Sequence, residues 1–371
     1  MRVFDITKFA FAVTVLAAAC GGDDATTTDA AETRATGADE VVTELESVEV
    51  VQPGRATWPT GYFQAAVYSA LLEELGYEVA DPAANEYPPP DAYRAMAEGV
   101  FDFWANGWYS QHNTWHAETL ANGDLIGDHL IVLGHQVPAA ALDGLVITKS
   151  VAEEHNIRSL AQINDEPDLV ALFDTDENGL AEIHGCPEPW TCDDIIDELI
   201  AFNGWSNLEQ VKAEFPGLVG ATIARVRAQE AAIQYLWSPS GYLEDLSPGE
   251  TVLWLSVGDQ DHVLDGTTPG GFDFSLAPPA PFGEKCTEDP CWIGWEVSDI
   301  QVTANRNFAE ANPRASALFE VVELPIDDIV AQNVRYVAGE NTEDDVQRHA
   351  EEWIEANREM VDAWLAHARA T

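Results

Sequence analysis

Basic residues are scarce in this chain. There are 65 Asp and Glu against 17 Lys and Arg, and only Lys8, Lys149, Lys212 and Lys285 are lysines. The net charge of −48 excludes a nucleic-acid binder, which needs a basic face, and argues against docking on an anionic membrane through charge. Long apolar runs are missing too: the N-terminal run 9–19 is too short to span a bilayer as a stable anchor. Common catalytic signatures are absent. There is no G-x-G-x-x-G after a strand, no phosphate loop, no G-x-S-x-G and no H-E-x-x-H. These absences leave no motif for a bound cofactor, and none is expected. They do not exclude a glycosidase, whose usual parts are Trp platforms and paired carboxylates. What is present is ample material for a core: 46% of residues are hydrophobic and 12 are Trp. The length of 371 residues suits two domains of ordinary size. A Lys-poor acidic surface suits a saline habitat, and a generic solvated surface would carry the same charge.

Residues 1–20 read as a lipoprotein signal peptide. Arg2 and Lys8 flank the start, and the apolar run ends in Leu16-Ala17-Ala18-Ala19-Cys20-Gly21. Small residues before a Cys suit a lipoprotein signal peptidase, and the Cys20 thiol would take the lipid. The pattern resembles a bacterial lipobox with the usual Leu moved one position upstream. The alternative, an ordinary secretory peptide, is export all the same. Residues 21–46 lack aromatics, are rich in Ala, Thr, Asp and Glu, and read as a flexible tether of about 25–30 Å r.m.s. span. Residues 1–46 hold nine acids and three bases, so −42 of the charge stays on the body. The other cysteines form two close pairs, Cys186 with Cys192 and Cys286 with Cys291. Short Pro-containing loops between them suit local disulfides in an oxidising compartment. Zinc is the weaker reading, since neither pair is C-x-x-C and no His sits at ligand spacing.

The body alternates strands and helices. Strands are expected at 48–52, 77–79, 129–133, 144–148 and 300–304. Continuous apolar runs at 169–173 and 251–257 read as buried parallel strands. Residues 63–75 repeat apolar side chains at helical spacing, with Gly76 placed to end the helix, and a further helix starts at 151–155. Thr342 and Asp345 resemble a capping box before one long helix through Leu365. The class is α/β with two parallel-rich sheets.

Tryptophan placement is more informative. Trp104, Trp108 and Trp115 crowd one segment, Trp190 sits inside the Cys186–Cys192 loop, and Trp237 stands in YLWSP. A single Trp is usually core. Several beside Gly, Pro or Ser, at strand ends, suggest a concave wall that binds quaternary ammonium through cation–π attraction.

From about residue 47 onward the chain resembles the ProX-type glycine betaine/proline betaine binding proteins of ABC importers. The resemblance is carried by LLEELGYEV, GWYSQH, LVITKSVAEEHNIRSLAQI, ALFDTDENGLAEIHGCPEPWTC, YLWSP, VLWLSV and NPRASALFEVVELPIDDIVAQN. It implies a two-lobed periplasmic-binding-protein fold of type II, each lobe a sheet flanked by helices, with ligand in the cleft between them. Lobe one would be 47–140 plus 297–371, and lobe two 141–296. It implies a three-Trp box of Trp108, Trp190 and Trp237 around a trimethylammonium, and a carboxylate held by His112 and the amides of Thr191 and Cys192. Thr191 stands where the best-known member has Gly. The second disulfide, Cys286–Cys291, lies outside the family pattern and rests on spacing. The implied protein is no enzyme: a monomeric, exported lipoprotein that delivers glycine betaine to a permease, with ATP hydrolysed by a separate subunit. Choline is the nearest rival cargo, then dimethylsulfoniopropionate and ectoine. A secreted carbohydrate-active protein is the rival of another class. Asp174, Asp176 and Asn178 resemble the start of a calcium loop whose bidentate Glu is missing; the plain alternative is an acidic turn with Asx hydrogen bonds.

Overall fold

A computed structural model describes residues 50–371. The signal peptide, Cys20, the tether and the first two residues of the expected strand 48–52 lie outside the described residues. In chain order the elements are β1 (Pro53–Gly54), α1 (Pro59–Glu74), α2 (Pro89–Ala97), β2 (Phe103–Tyr109), α3 (Asn113–His116) and β3 (Leu130–Thr148). There follow α4 (Lys149–His155), α5 (Leu160–Asp165), α6 (Pro167–Phe173), β4 (Ala181–His184), α7 (Thr191–Asn203), β5 (Leu208–Val211), α8 (Phe215–Arg227), β6 (Ile233–Ser238) and β7 (Val252–Trp254). The last are β8 (Ser298–Asn305), α9 (Arg306–Ala311), α10 (Pro313–Val321), α11 (Ile326–Val337), α12 (Glu343–Ala356) and α13 (Arg358–Ala370).

The strands join in the order β1-β2-β8-β3-β6-β4-β5, with β7 also on β3. The long β3 links two groups: its first part pairs with β8, and its last part pairs with β6 and β7. The expected 129–133 and 144–148 strands are thus one element. Gly134 and Pro138 punctuate it without ending it, because Pro138 sits where the register with β8 slips between Val137 and Ala141 and needs no ladder N–H there. The parallel-rich expectation is corrected. β1–β2, β4–β5 and β4–β6 are parallel, but β2–β8, β3–β8, β3–β6 and β3–β7 are antiparallel.

Two other expectations change. Residues 169–173 are helix α6, not a strand: Pro167 presets the first turn, and Leu169, Val170 and Phe173 are buried while Ala171 is exposed, a helical pattern. The C-terminal helix breaks at Asn357 into α12 and α13. The capping box holds: the Asp345 N–H donates to Thr342 Oγ1 (3.2 Å) and the Thr342 N–H to Asp345 Oδ2 (3.1 Å). Gly76 follows α1 at φ 95°, the left-handed turn that glycine adopts without strain. Both disulfides, Cys186–Cys192 and Cys286–Cys291, are closed.

Aromatic burial fixes the sheet's flanks. Phe319 of α10 meets Phe103 of β2 at 4.7 Å and Tyr68 of α1 at 5.7 Å between ring centres. Beside β5, α7 buries Ile195, Ile196 and Leu199 completely. Each such side chain stabilises the fold by about 1.5–3 kcal/mol.

Candidate ligand site

Strand ends converge on one cavity with about 340 Å³ of empty space. Trp108 is the penultimate residue of β2 and Trp237 the penultimate residue of β6, so both stand on strands rather than in turns. Trp190 caps the start of α7 inside the disulfide loop. All three line the cavity, together with His112, Thr191 and Cys192. Trp58, just before α1, is a fourth indole in the wall that sequence reasoning missed. Cys286 and Cys291 are not among the lining residues.

Two of the rings are tied through their ring nitrogens. Trp108 Nε1–H donates to Asn106 Oδ1 at 2.9 Å, and the Asn106 amide in turn donates to Gln64. Trp190 Nε1–H donates to Thr57 Oγ1 at 2.8 Å, and its ring stacks on Phe215 at 5.7 Å. Trp190 meets Trp237 at 5.8 Å and 80°, and Trp58 at 5.3 Å and 67°. Adjacent walls therefore stand near right angles, which makes a box rather than a slot.

His112 precedes α3 and is buried. The Trp108 backbone N–H donates to its Nδ1 at 3.1 Å, with Tyr93 Oη at 2.9 Å on the same nitrogen. An Nδ1 that accepts leaves the neutral ring's hydrogen on Nε2. Burial, with His116 nearby, lowers the His112 pKa to about 3, so the ring is a neutral donor. Trp104 stacks on it at 5.7 Å, nearly parallel. Thr191 and Cys192 begin α7, where backbone N–H groups have no carbonyl within the helix to meet, and Trp190 supplies no side-chain cap. Such a helix start favours an anion. Thr191 has the negative φ of a helical residue, so its side chain is accommodated without strain. Its Oγ1 accepts from Trp115 Nε1 at 3.2 Å.

A buried acid also reaches the wall. Asp143 of β3 accepts from Gln111 Nε2 at 2.9 Å and from the Tyr235 hydroxyl of β6. Burial pushes its pKa up to about 7, against the pull of those two hydrogen bonds. Gln111, Asp143 and Tyr235 all line the cavity.

The Asp174 loop lies apart from it. The Asn178 N–H donates to Asp174 and Asp176, each at 3.0 Å, and the Gly179 N–H donates to Asp174 at 2.9 Å. These are Asx-type turns. Among the described residues, the acids that could meet on a cation are Asp176, Glu182 and Glu209, and Thr175 already donates to Glu182.

Comparison with known proteins decides the relationship. The family "Substrate binding domain of ABC-type glycine betaine transport system" matches residues 49–356. The chain belongs to this family. It is 32% identical over 324 residues to the glycine betaine-binding periplasmic protein OusX of Dickeya dadantii, covering 86% of this chain and 90% of that one. It is 30% identical over 327 residues to the glycine betaine/proline betaine-binding periplasmic protein of Salmonella typhimurium, with the same coverage. The crystal structure of the glycine/betaine/L-proline-binding protein ProX from Borrelia burgdorferi superposes with a TM-score of 0.63 at 15% identity, over 85% of this chain and 96% of that one. The fold is therefore that of type II periplasmic-binding proteins. The lining residues that motif reasoning left out are Trp58, Pro89, Gln111, Asp143 and Tyr235. The available signal was an acid set in an apolar strand, LDGLV, and a Tyr two residues before a cage Trp.

Proposed function

We propose that this chain is the extracytoplasmic solute-binding protein of an ABC importer and that its cargo is glycine betaine or a close relative. The observation that carries the reading is the convergence of four indoles, a neutral His donor and a helix start on one cavity. A trimethylammonium offers no ordinary hydrogen bond, so ring faces suit it; each contributes about 0.5–2 kcal/mol. A cage of such rings supplies a large part of the roughly −8 kcal/mol of a micromolar complex. The carboxylate would take His112 Nε2–H and the Thr191 and Cys192 amides. The curated relatives' names, glycine betaine- and proline betaine-binding, support the same cargo.

The lobes would be 47–140 plus 297–371 and 141–296, with β3 carrying the first crossing and the chain returning just before β8. Hydrogen bonds then bridge the lobes at Trp190–Thr57, Trp115–Thr191 and Gln111–Asp143, which fits a closed state. Ligand would favour that state by touching both sides at once. Lipidation at Cys20 would tether a monomer beside its permease, whose ATPase subunit does the chemistry.

Choline is kept as a second reading because Asp143 gives the cavity an acid that a net cation would prefer. A glycosidase has less support, because it needs two carboxyl groups and the cavity wall holds Asp143 alone. The test is a calorimetric panel of glycine betaine, proline betaine, choline, ectoine and dimethylsulfoniopropionate, on wild type and His112→Ala. Betaine should bind at micromolar level and weaken in the variant, while choline affinity stays unchanged. If every betaine fails, the cage assignment is wrong.

A further inference from the structure

The cavity recognises more than a zwitterion's two ends. Asp143 and Trp237 face each other in the β3–β6 register, so their side chains leave the same sheet face as direct neighbours. Tyr235, two residues before Trp237 on β6, shares that face. Gln111 arrives from the segment after β2. Together they hold a buried carboxyl group against the floor of the indole box.

We propose that Asp143 is the counter-charge of the quaternary ammonium held in the cage, so that loading the cage drives a proton off its carboxyl group. This rests on the cage reading above. In the balance, the Asp143 O–H bond breaks, its electron pair stays on the carboxylate, and the proton passes to the buffer. The new anion, buried in the wall, faces the cation where their attraction is stronger than in bulk water.

Other titrating groups around Asp143 leave the assignment intact. His112 lies across the cavity and is neutral, with a pKa of about 3. The Tyr235 phenol is pushed well above its usual value by burial and by Asp143 itself. On β8, Asp299 is turned to His135 at 2.8 Å, and β7 carries no titratable residue. Asp193, at the start of α7, meets Lys212 at 2.7 Å. Asp143, near 7 without ligand, is thus the group of this wall that changes charge between pH 6 and pH 8.

The sign follows. At pH 6 most protein carries a protonated Asp143; a cation that prefers the ionised form must displace that proton, and the apparent Kd is the intrinsic Kd divided by the ionised fraction. At pH 8 the group is already ionised. Affinity should increase with pH by about tenfold between 6 and 8 when only the ionised form loads. The dependence should be steepest for choline, because the carboxylate of betaine adds a second, opposing charge.

The experiment is titration calorimetry of the full-length protein with choline and with glycine betaine at pH 6, 7 and 8, in buffers of different ionisation enthalpy. The expected result is tighter binding at higher pH, and a buffer-dependent heat reporting release of up to one proton at pH 6 and almost none at pH 8. Asp143→Asn should bind more weakly at pH 8 and lose both dependences. Tyr235→Phe, which keeps the acid, should keep the proton release. An affinity that is flat with pH, a heat independent of buffer, or a slope that survives in Asp143→Asn overturns the proposal while leaving the cage in place. Absence of binding by both ligands at every pH overturns the cage as well.

Discussion

Trp190 is the indole with the most at stake. Its nitrogen is tied to Thr57, its face stacks on Phe215, and two further indoles meet its edges. Trp190→Ala should therefore weaken glycine betaine binding by about tenfold or more, at the upper end of a single ring's cation–π contribution. Trp205 is the control: buried and stacked on His262, it does not line the cavity. Trp205→Ala should cost about 3–5 kcal/mol of stability and leave the Kd unchanged. Calorimetry beside chemical denaturation separates the two, and equal losses of affinity would contradict the box. At this scale much was legible. The three Trp, His112, Thr191 and Cys192 were named from motifs, and all line one cavity. Asp143 was not, because its partner Tyr235 is 92 positions away and an acid in a strand has no signature until a fold buries it. Trp58 was hidden likewise: before a Pro at a helix start, it looks like any other core indole.

Elements were readable where local chemistry decides them. Thr342 and Asp345 cap α12 reciprocally, and Thr342→Ala should cost about 1 kcal/mol, read as a lowered denaturation midpoint with unchanged ligand affinity. An unchanged midpoint would mean that contacts of α12 with α1, not the cap, hold this helix. Glycine ended α1 as expected. Length and tertiary context defeated the reading elsewhere. The apolar run of α6 is as short as a buried strand, and only Pro167 hinted at a helix. β3 looked like two strands because Gly134, Pro138 and Gly144 interrupt it. In the fold Gly134 and Pro138 fall where the ladder with β8 slips, while Gly144 pairs in register with Leu236 of β6, so a single strand carries the chain from one group of the sheet to the other. That continuity, which no window of sequence contains, puts Asp143 on the floor of the site.

Across the whole molecule, charge is the dominant feature. The net −48 leaves many carboxylates without a basic partner, and their mutual repulsion opposes the compact state. Raising NaCl from about 0.1 M to 1 M shortens the Debye length from about 10 Å to 3 Å, so the ligand-free Tm should rise. A Tm that falls over that range would show that the ion pairs around Arg348 and Arg55 outweigh the repulsion. The same acidity excluded nucleic acid at the outset. It suits a protein bathed in salt that gathers an uncharged-overall solute through ring faces rather than long-range attraction. The central claim is that this solute sits among Trp58, Trp108, Trp190 and Trp237, and the most direct measurement is glycine betaine titration of the full-length protein, followed by Trp fluorescence and calorimetry together. The account predicts one site per chain, a micromolar Kd and a fluorescence change that Trp190→Ala largely removes. Saturating glycine betaine with neither heat nor fluorescence change would contradict it.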